Sequence, residues 1–226
     1  MTWDDIGFLL SKNKYSENSL ICEIFTKDHG KVSGIIFGGT SRKIRNYLQI
    51  GNQIYISFNS KFEGRIGYFK VEIEKALSPL YFDNPKKLSC INSAMQLIKI
   101  LTADSQKNIN IYDLILNFYN ILENTNWIKN YIFWELMLFK EVGFDLELSN
   151  LVIKESSGEK FKYVTKSSIE KKTIPNFLID KDDKIDNFKD ILDGLKLVGD
   201  YLDKTILKPN NLAQPMGRLQ FINSLK

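Results

Sequence analysis

The sequence predicts an α+β chain: a small β-barrel over residues 1–80, then a mainly α-helical region over 81–226 with a small polar insertion at about 145–180. Three observations carry this. Apolar residues alternate with polar ones in short runs up to about residue 77, and then recur at three-and-four spacing from about residue 88. Alternation is the period of a strand with one buried face, and three-and-four spacing is that of an amphipathic helix. The third is an interruption: residues 144–180 lose the helical spacing and gather Ser149-Asn150, Ser156-Ser157-Gly158 and Lys171-Lys172.

Five strands are expected in order. Residues 7–12 form an apolar run closed by the turn-rich Asn13-Lys14-Tyr15-Ser16. Leu20, Cys22 and Ile24 alternate with Ile21, Glu23 and Phe25 in the second strand. The turn Lys27-Asp28-His29-Gly30 leads into the third, 31–37. Gly51-Asn52 precedes the fourth, 53–58, and Phe62-Glu63-Gly64-Arg65 turns into the fifth, 66–77. In that last run Phe69, Val71 and Ile73 alternate with Lys70, Glu72 and Glu74. Five short strands with a break between the third and fourth fit a small closed barrel.

Ser78-Pro79 ends the strand pattern, because proline cannot donate to a ladder. Leu88, Ile91, Met95, Ile98 and Leu101 then share a helix face. Asn110 is the expected cap of the next helix, whose stripe is Ile111, Leu114, Ile115, Phe118 and Leu122. A third helix is expected from about Trp127 to Val142, with Gly143 as terminator. Within the insertion, Phe161, Tyr163 and Val164 suggest a hairpin strand in a minor sheet. Helix resumes near Asp186 on the stripe Phe188, Ile191, Leu195, Val198 and Leu202. Pro215 suits the first turn of a short last helix.

The segment 28–45 is the most informative for function. An apolar run ends in Gly38-Gly39, and Arg42, Lys43 and Arg45 follow within four residues of one another. Cations grouped at a strand end suit a phosphate backbone, with Lys31 and Arg65 expected nearby; a solvated loop is the alternative. An OB-like barrel binds single strands by stacking bases on rings in a cationic groove. Of Phe37, Tyr55, Phe58 and Tyr68, the last strand residue Phe58 reads as core, while Tyr55 and Tyr68 alternate against core positions and are the stacking candidates.

Little else supports bond chemistry. His29 is the only histidine and sits at a hairpin turn. Cys22 and Cys90 are far apart and read as buried apolar residues of a reducing cytoplasm. One histidine and two distant cysteines do not make a structural zinc site. No nucleophile elbow or phosphate-binding Walker loop is present, and Asp182-Asp183 reads as a solvated loop. Trp127 and Trp134, seven residues apart, fall on nearly one helix face, as a packing anchor or a groove for a partner peptide. The apolar runs fall short of the ~20 residues of a membrane span, so neither export nor membrane insertion is expected. The net charge of +4 leans mildly toward polyanions.

Several weak segments in one order resemble the RecO family of bacterial recombination-mediator and DNA-annealing proteins. They are Gly7-Phe8-Leu9-Leu10 with Tyr15-Ser16-Glu17-Asn18-Ser19-Leu20, then Phe25-Thr26-Lys27-Asp28-His29-Gly30-Lys31-Val32-Ser33 and Gly38-Gly39-Thr40-Ser41-Arg42-Lys43. Phe133-Trp134-Glu135-Leu136 running into Leu138-Phe139-Lys140-Glu141-Val142-Gly143-Phe144 adds the helix-to-loop signature before the family's insertion. The resemblance covers essentially the whole chain. It implies an N-terminal OB-fold DNA-binding domain and a helical domain. It implies a non-enzymatic protein of the cytoplasm, at the nucleoid, that binds single- and double-stranded DNA and anneals complementary strands. It also implies partnership with RecR and with the acidic, hydrophobic C-terminal tail of single-stranded DNA-binding protein, and through them RecA loading. The family's basic turn falls on Lys31, Arg42, Lys43 and Arg45, with Arg65, Tyr55 and Tyr68 as further expected DNA contacts. Many members carry a four-cysteine zinc motif in the insertion. Residues 149–175 contain no cysteine, so no metal or other cofactor is expected. On the residues alone, an RNA-binding OB protein and a protein-interaction adaptor remain open.

Overall fold

The computed structural model describes residues 1–61, 66–157, 160–166, 172–180 and 187–226. The turn 62–65 with Arg65, the pair Asp182-Asp183, and Gly158, Lys171 and Asp186 therefore lie outside the described residues. By contact the chain divides into two compact units: Met1–Tyr119 with Gln214–Lys226, and Asn120–Ala213. The strand-to-helix change near residue 80 is a change of element type inside the first unit.

In the first unit the strands are β1 (Thr2–Lys14), β2 (Ser19–Thr26), β3 (Gly30–Phe37), β4 (Gln53–Asn59) and β5 (Gly67–Lys75). They close in the order β1-β2-β3-β5-β4. This is an OB-type barrel, with a single parallel seam where Gly34 meets Gly67 and Ile35 meets Tyr68. Glycine is required at that seam. A Cβ on Gly34 would come within 2.5 Å of the Phe69 ring, and one on Gly67 within 2.4 Å of the Phe58 ring. The rings occupy the space that side chains would need. Leu9, Cys22, Ile24, Ile54, Ile56 and Phe69 fill the interior. Phe58 is among them, as its alternation requires. Burial pushes the Cys22 thiol up to about 12, and both cysteines are buried and free.

Strand β1 begins at Thr2, well before the apolar run at Gly7. The acidic start conceals it, because Asp5 is buried for a reason other than apolarity. Its Oδ2 accepts from the Asp28 backbone N–H at 2.9 Å and lies 2.8 Å from His29 Nδ1, so β1 holds the β2–β3 turn. His29 also stacks on Trp3 with centroids 3.8 Å apart. The sole histidine is a turn residue. At the far end of the barrel, β5 stops at Lys75 and does not reach residue 77.

Helix α1 (Arg42–Tyr47) fills the break between β3 and β4, where no helix was expected. Six residues are too few for a hydrophobic period to declare itself. Helices α2 (Pro85–Leu101) and α7 (Met216–Leu225) pack together, the amide of Gly217 donating to Gln96 Oε1 at 2.7 Å. Helix α3 (Ile109–Glu123) is capped by Asn108, whose Oδ1 accepts from Ile111 N–H at 3.1 Å. Asn110, the expected cap, lies one turn position inside; both asparagines precede the stripe, and the side chain three residues before the free amide makes the bond. Pro215 likewise stands just before α7, its carbonyl accepting from Arg218 and Leu219. Tyr112 and Tyr119 of α3 bond Gln53 and the Gly51 carbonyl, and burial pushes the Tyr119 phenol far up.

The second unit holds α4 (Trp127–Glu141), α5 (Leu148–Leu151), α6 (Phe188–Tyr201) and a three-stranded antiparallel sheet. Its strands are β6 (Val152–Ser157), β7 (Lys160–Thr165) and β8 (Thr173–Ile174). Trp134 is fully buried on α4, a packing residue. Gly143, at φ +92°, ends that helix; its N–H bonds Lys140 O and that of Phe144 bonds Phe139 O. Asn187 caps α6, which runs on through a wider turn at Leu202–Leu207. Among the described residues no helix is long and apolar enough to cross a membrane.

Candidate nucleic-acid interface

The basic segment forms a structured ledge on the barrel. Gly38 takes φ +68° at the end of β3, and Ser41 N–H bonds Gly38 O at 2.9 Å. Only a residue without a side-chain penalty at positive φ turns the chain there. Ser41 then caps α1, Ile44 packs toward the barrel core, and Arg42, Lys43 and Arg45 are left exposed. Among the described residues none of the three has an ion-pair partner. The other end of α1 is held by Lys12, whose ammonium donates to Leu48 O. Burial lowers the Lys12 pKa, partly offset by Cys22 and reinforced by the charge of Arg45.

Rings stand on the same side of the barrel. Phe37, the outward-facing last residue of β3, is 64% exposed and its ring centroid lies 6.0 Å from that of Tyr68. Tyr68 also pairs with Ile35 across the seam, so the exposed faces of β3 and β5 share an aromatic and aliphatic strip. The β1–β2 loop joins this surface: Thr40 Oγ1 lies 3.5 Å from Glu17 O and from Asn18 Oδ1. Tyr15 in that loop is also exposed. Strands two and three with the β1–β2 loop are the faces an OB barrel offers to oligonucleotides.

Two expected contacts sit elsewhere. Lys31 is withdrawn from solvent, a correction to its reading as a phosphate contact. Its ammonium donates to Lys99 O at 2.8 Å and Thr102 O at 2.6 Å, and lies 3.2 Å from the exposed carboxylate of Asp104. It therefore satisfies the free carbonyls at the end of α2, a task any cation within reach performs. Tyr55 faces out from β4 between Ile6 and Glu72. Burial and the Asp4 carboxylate bonded to its hydroxyl push its phenol up, so it stands among acids rather than cations. Of the other expected residues, Arg42, Lys43 and Arg45 share the short helix that follows β3, and Tyr68 lies on β5 against Phe37; Arg65 lies outside the described residues.

Sequence reasoning weighed Phe37 among the rings without choosing it, and passed over Tyr15. For Phe37 a signal existed: Ile36 and Phe37 adjoin at the strand end, and alternation allows one of them inside. The arrangement can neutralise phosphates and stack bases. Among the described residues no group of three or more His, Cys, Asp or Glu side chains is placed to hold a metal ion.

The family profile described as Recombination protein O N terminal matches residues 1–76, the barrel, and that described as Recombination protein O C terminal matches residues 83–174. A DNA repair protein RecO of Rhodospirillum centenum is 22% identical over 237 residues, covering 99% of this chain and 94% of the relative. One from Dinoroseobacter shibae is 32% identical over 153 residues, covering 67% of this chain and 64% of the relative. One from Rickettsia bellii is 27% identical over 234 residues, covering 98% and 95%. With barrel and helical region matched in order, and relatives that run nearly its full length, the chain belongs to the RecO family of recombination and DNA repair proteins.

Proposed function

We propose that the protein is a non-enzymatic DNA-binding and strand-annealing mediator of recombinational repair. The observation that carries this reading is the exposed triad Arg42, Lys43 and Arg45 on the helix that follows β3, together with the exposed Phe37 at the end of β3 against the half-buried Tyr68. The cations neutralise phosphates and lower the repulsion between two strands, the rings hold unpaired bases, and base pairing supplies specificity. No bond is made or broken. Within this reading the protein acts at the nucleoid in the cytoplasm, with RecR as partner, and helps load RecA onto single strands covered by single-stranded DNA-binding protein. In this reading the acidic, hydrophobic tail of that protein docks in a cleft of about 650 Å³ in the second unit, lined by Leu146, Leu148, Ile174 and Leu197 with Lys172, Lys196 and Lys204 and also by Asp193 and Asp200.

The test is annealing. Complementary DNA oligomers are mixed with and without the protein, and duplex formation is followed by fluorescence quenching. The reading expects acceleration that is lost in the Arg42→Ala, Lys43→Ala, Arg45→Ala triple variant. Annealing at the protein-free rate contradicts it. Preference for RNA over DNA of the same sequence in a competition arm also contradicts it.

A further inference from the structure

The three-stranded sheet of the second unit has its own chemistry. Residues 152–174 carry six lysines and three glutamates, so this short segment concentrates much of the chain's excess of positive charge. Cross-strand pairing opposes Lys154 to Tyr163 and Ser156 to Phe161, which puts Lys154, Phe161 and Tyr163 on one face. The Lys154 ammonium lies 3.5 Å from the centroid of the Phe161 ring and 6.0 Å from that of Tyr163. Phe161 is nevertheless 52% exposed. A packing role would have buried it. Instead a large ring is held outward and pinned by a cation, on the central strand of a basic sheet.

We propose that this face is a second contact for single-stranded DNA, in addition to the barrel surface. A base stacks on the open side of the Phe161 ring, and the Lys154 ammonium strengthens the ring's hold while countering the adjoining phosphate. The inference rests on the proposed DNA-binding function and extends it. An annealing protein must hold two strands at once, and one groove serves only one of them. The occupant is a polynucleotide rather than an acidic peptide because the face offers a flat exposed ring with a cation across it, where a peptide side chain requires a closed apolar pocket.

The experiment uses the full chain and a fluorescein-labelled thymidine oligomer, read by anisotropy across a salt series. Four variants are compared with the parent: Phe161→Leu, Phe161→Tyr, Lys154→Gln, and the triple alanine variant of Arg42, Lys43 and Arg45. Leucine keeps the apolar volume and removes the stacking face, whereas tyrosine restores it. Phe161→Leu is expected to weaken binding about tenfold. Phe161→Tyr is expected to bind like the parent, and Lys154→Gln to lower the salt slope by about 1. Combined with the triple variant, Phe161→Leu removes the residual binding. Equal binding by Phe161→Leu and the parent, while the triple variant loses affinity, overturns this site and leaves the barrel reading standing. Loss in Phe161→Leu with none in the triple variant supports this site and overturns the barrel reading. Equal loss in the Leu and Tyr variants shows that only packing was disturbed, and overturns the stacking role.

Discussion

The two ends of β3 put similar cations to opposite uses. At its start, Lys31 is buried, bonded to two carbonyls at the end of α2, and beside Asp104. Past its far end, Arg42, Lys43 and Arg45 ride on a short helix whose other face is the one that packs, and their charges stay in water. What separates them is the company each keeps. A helix C-terminus within reach of Lys31 offers carbonyls that need a donor, and that demand outweighs any contact with solvent or ligand. Among the described residues the α1 cations have no ion-pair partner, so they remain available to an outside anion. A basic residue in a basic segment is a ligand-binding group only when the fold has not already engaged it.

The largest expected effect breaks the first half of this comparison. Lys31→Met leaves two buried carbonyls without a donor and is expected to cost about 2–3 kcal/mol of stability, read as a lower urea midpoint. The folded variant keeps its single-strand affinity and its salt slope. A reduced slope with unchanged stability would return Lys31 to the DNA contacts.

Next in size is the pair of rings. Phe37→Ala with Tyr68→Ala removes one platform for a single base and is expected to weaken thymidine-oligomer binding by about 1–2 kcal/mol in all while leaving the salt slope unchanged, since no charge is removed. Isothermal titration across a salt series separates the two quantities. A change in slope with no change in affinity at low salt would show that the rings only support α1.

The smallest effect concerns acid stability at the β2–β3 turn beside Lys31. The Lys107 side chain bonded to Asp28 holds its carboxyl below the ordinary range. A carboxyl lowered in the folded state stabilises the fold above the unfolded pKa and loses that contribution as the pH falls through the folded pKa. The turn is exposed, so Asp28→Asn is expected to shift the thermal midpoint slightly at neutral pH and to come level with the parent once the pH has fallen through the lowered pKa of Asp28. A constant difference at every pH would place the effect in the backbone of the turn.

How much of this was legible beforehand varies with what each residue answers to. The strands declared themselves because Phe69, Val71 and Ile73 each face one side, a purely local pattern. The start of β1 did not, because Asp5 is buried to serve the backbone and side chain of a turn more than twenty residues away. Helix α1 was hidden for want of length, and its cap Ser41 reads in sequence like any loop serine. The cation triad was visible as composition, but the sorting of Lys31 from Arg42 depended on where α2 ends, which lies about seventy residues beyond it. The Phe37–Tyr68 pair depended on a parallel seam that only barrel closure creates. Local period gave the elements; long-range closure decided which side chains remained free.

The most direct measurement of the central claim is the salt dependence of single-strand affinity for the parent and for the Arg42→Ala, Lys43→Ala, Arg45→Ala variant. Each phosphate contact contributes about 1 to the slope of log affinity against log salt. The account predicts a slope smaller by about 3 in the variant, with an unfolding midpoint close to that of the parent. Parallel lines for the two proteins, at any affinity, would contradict it.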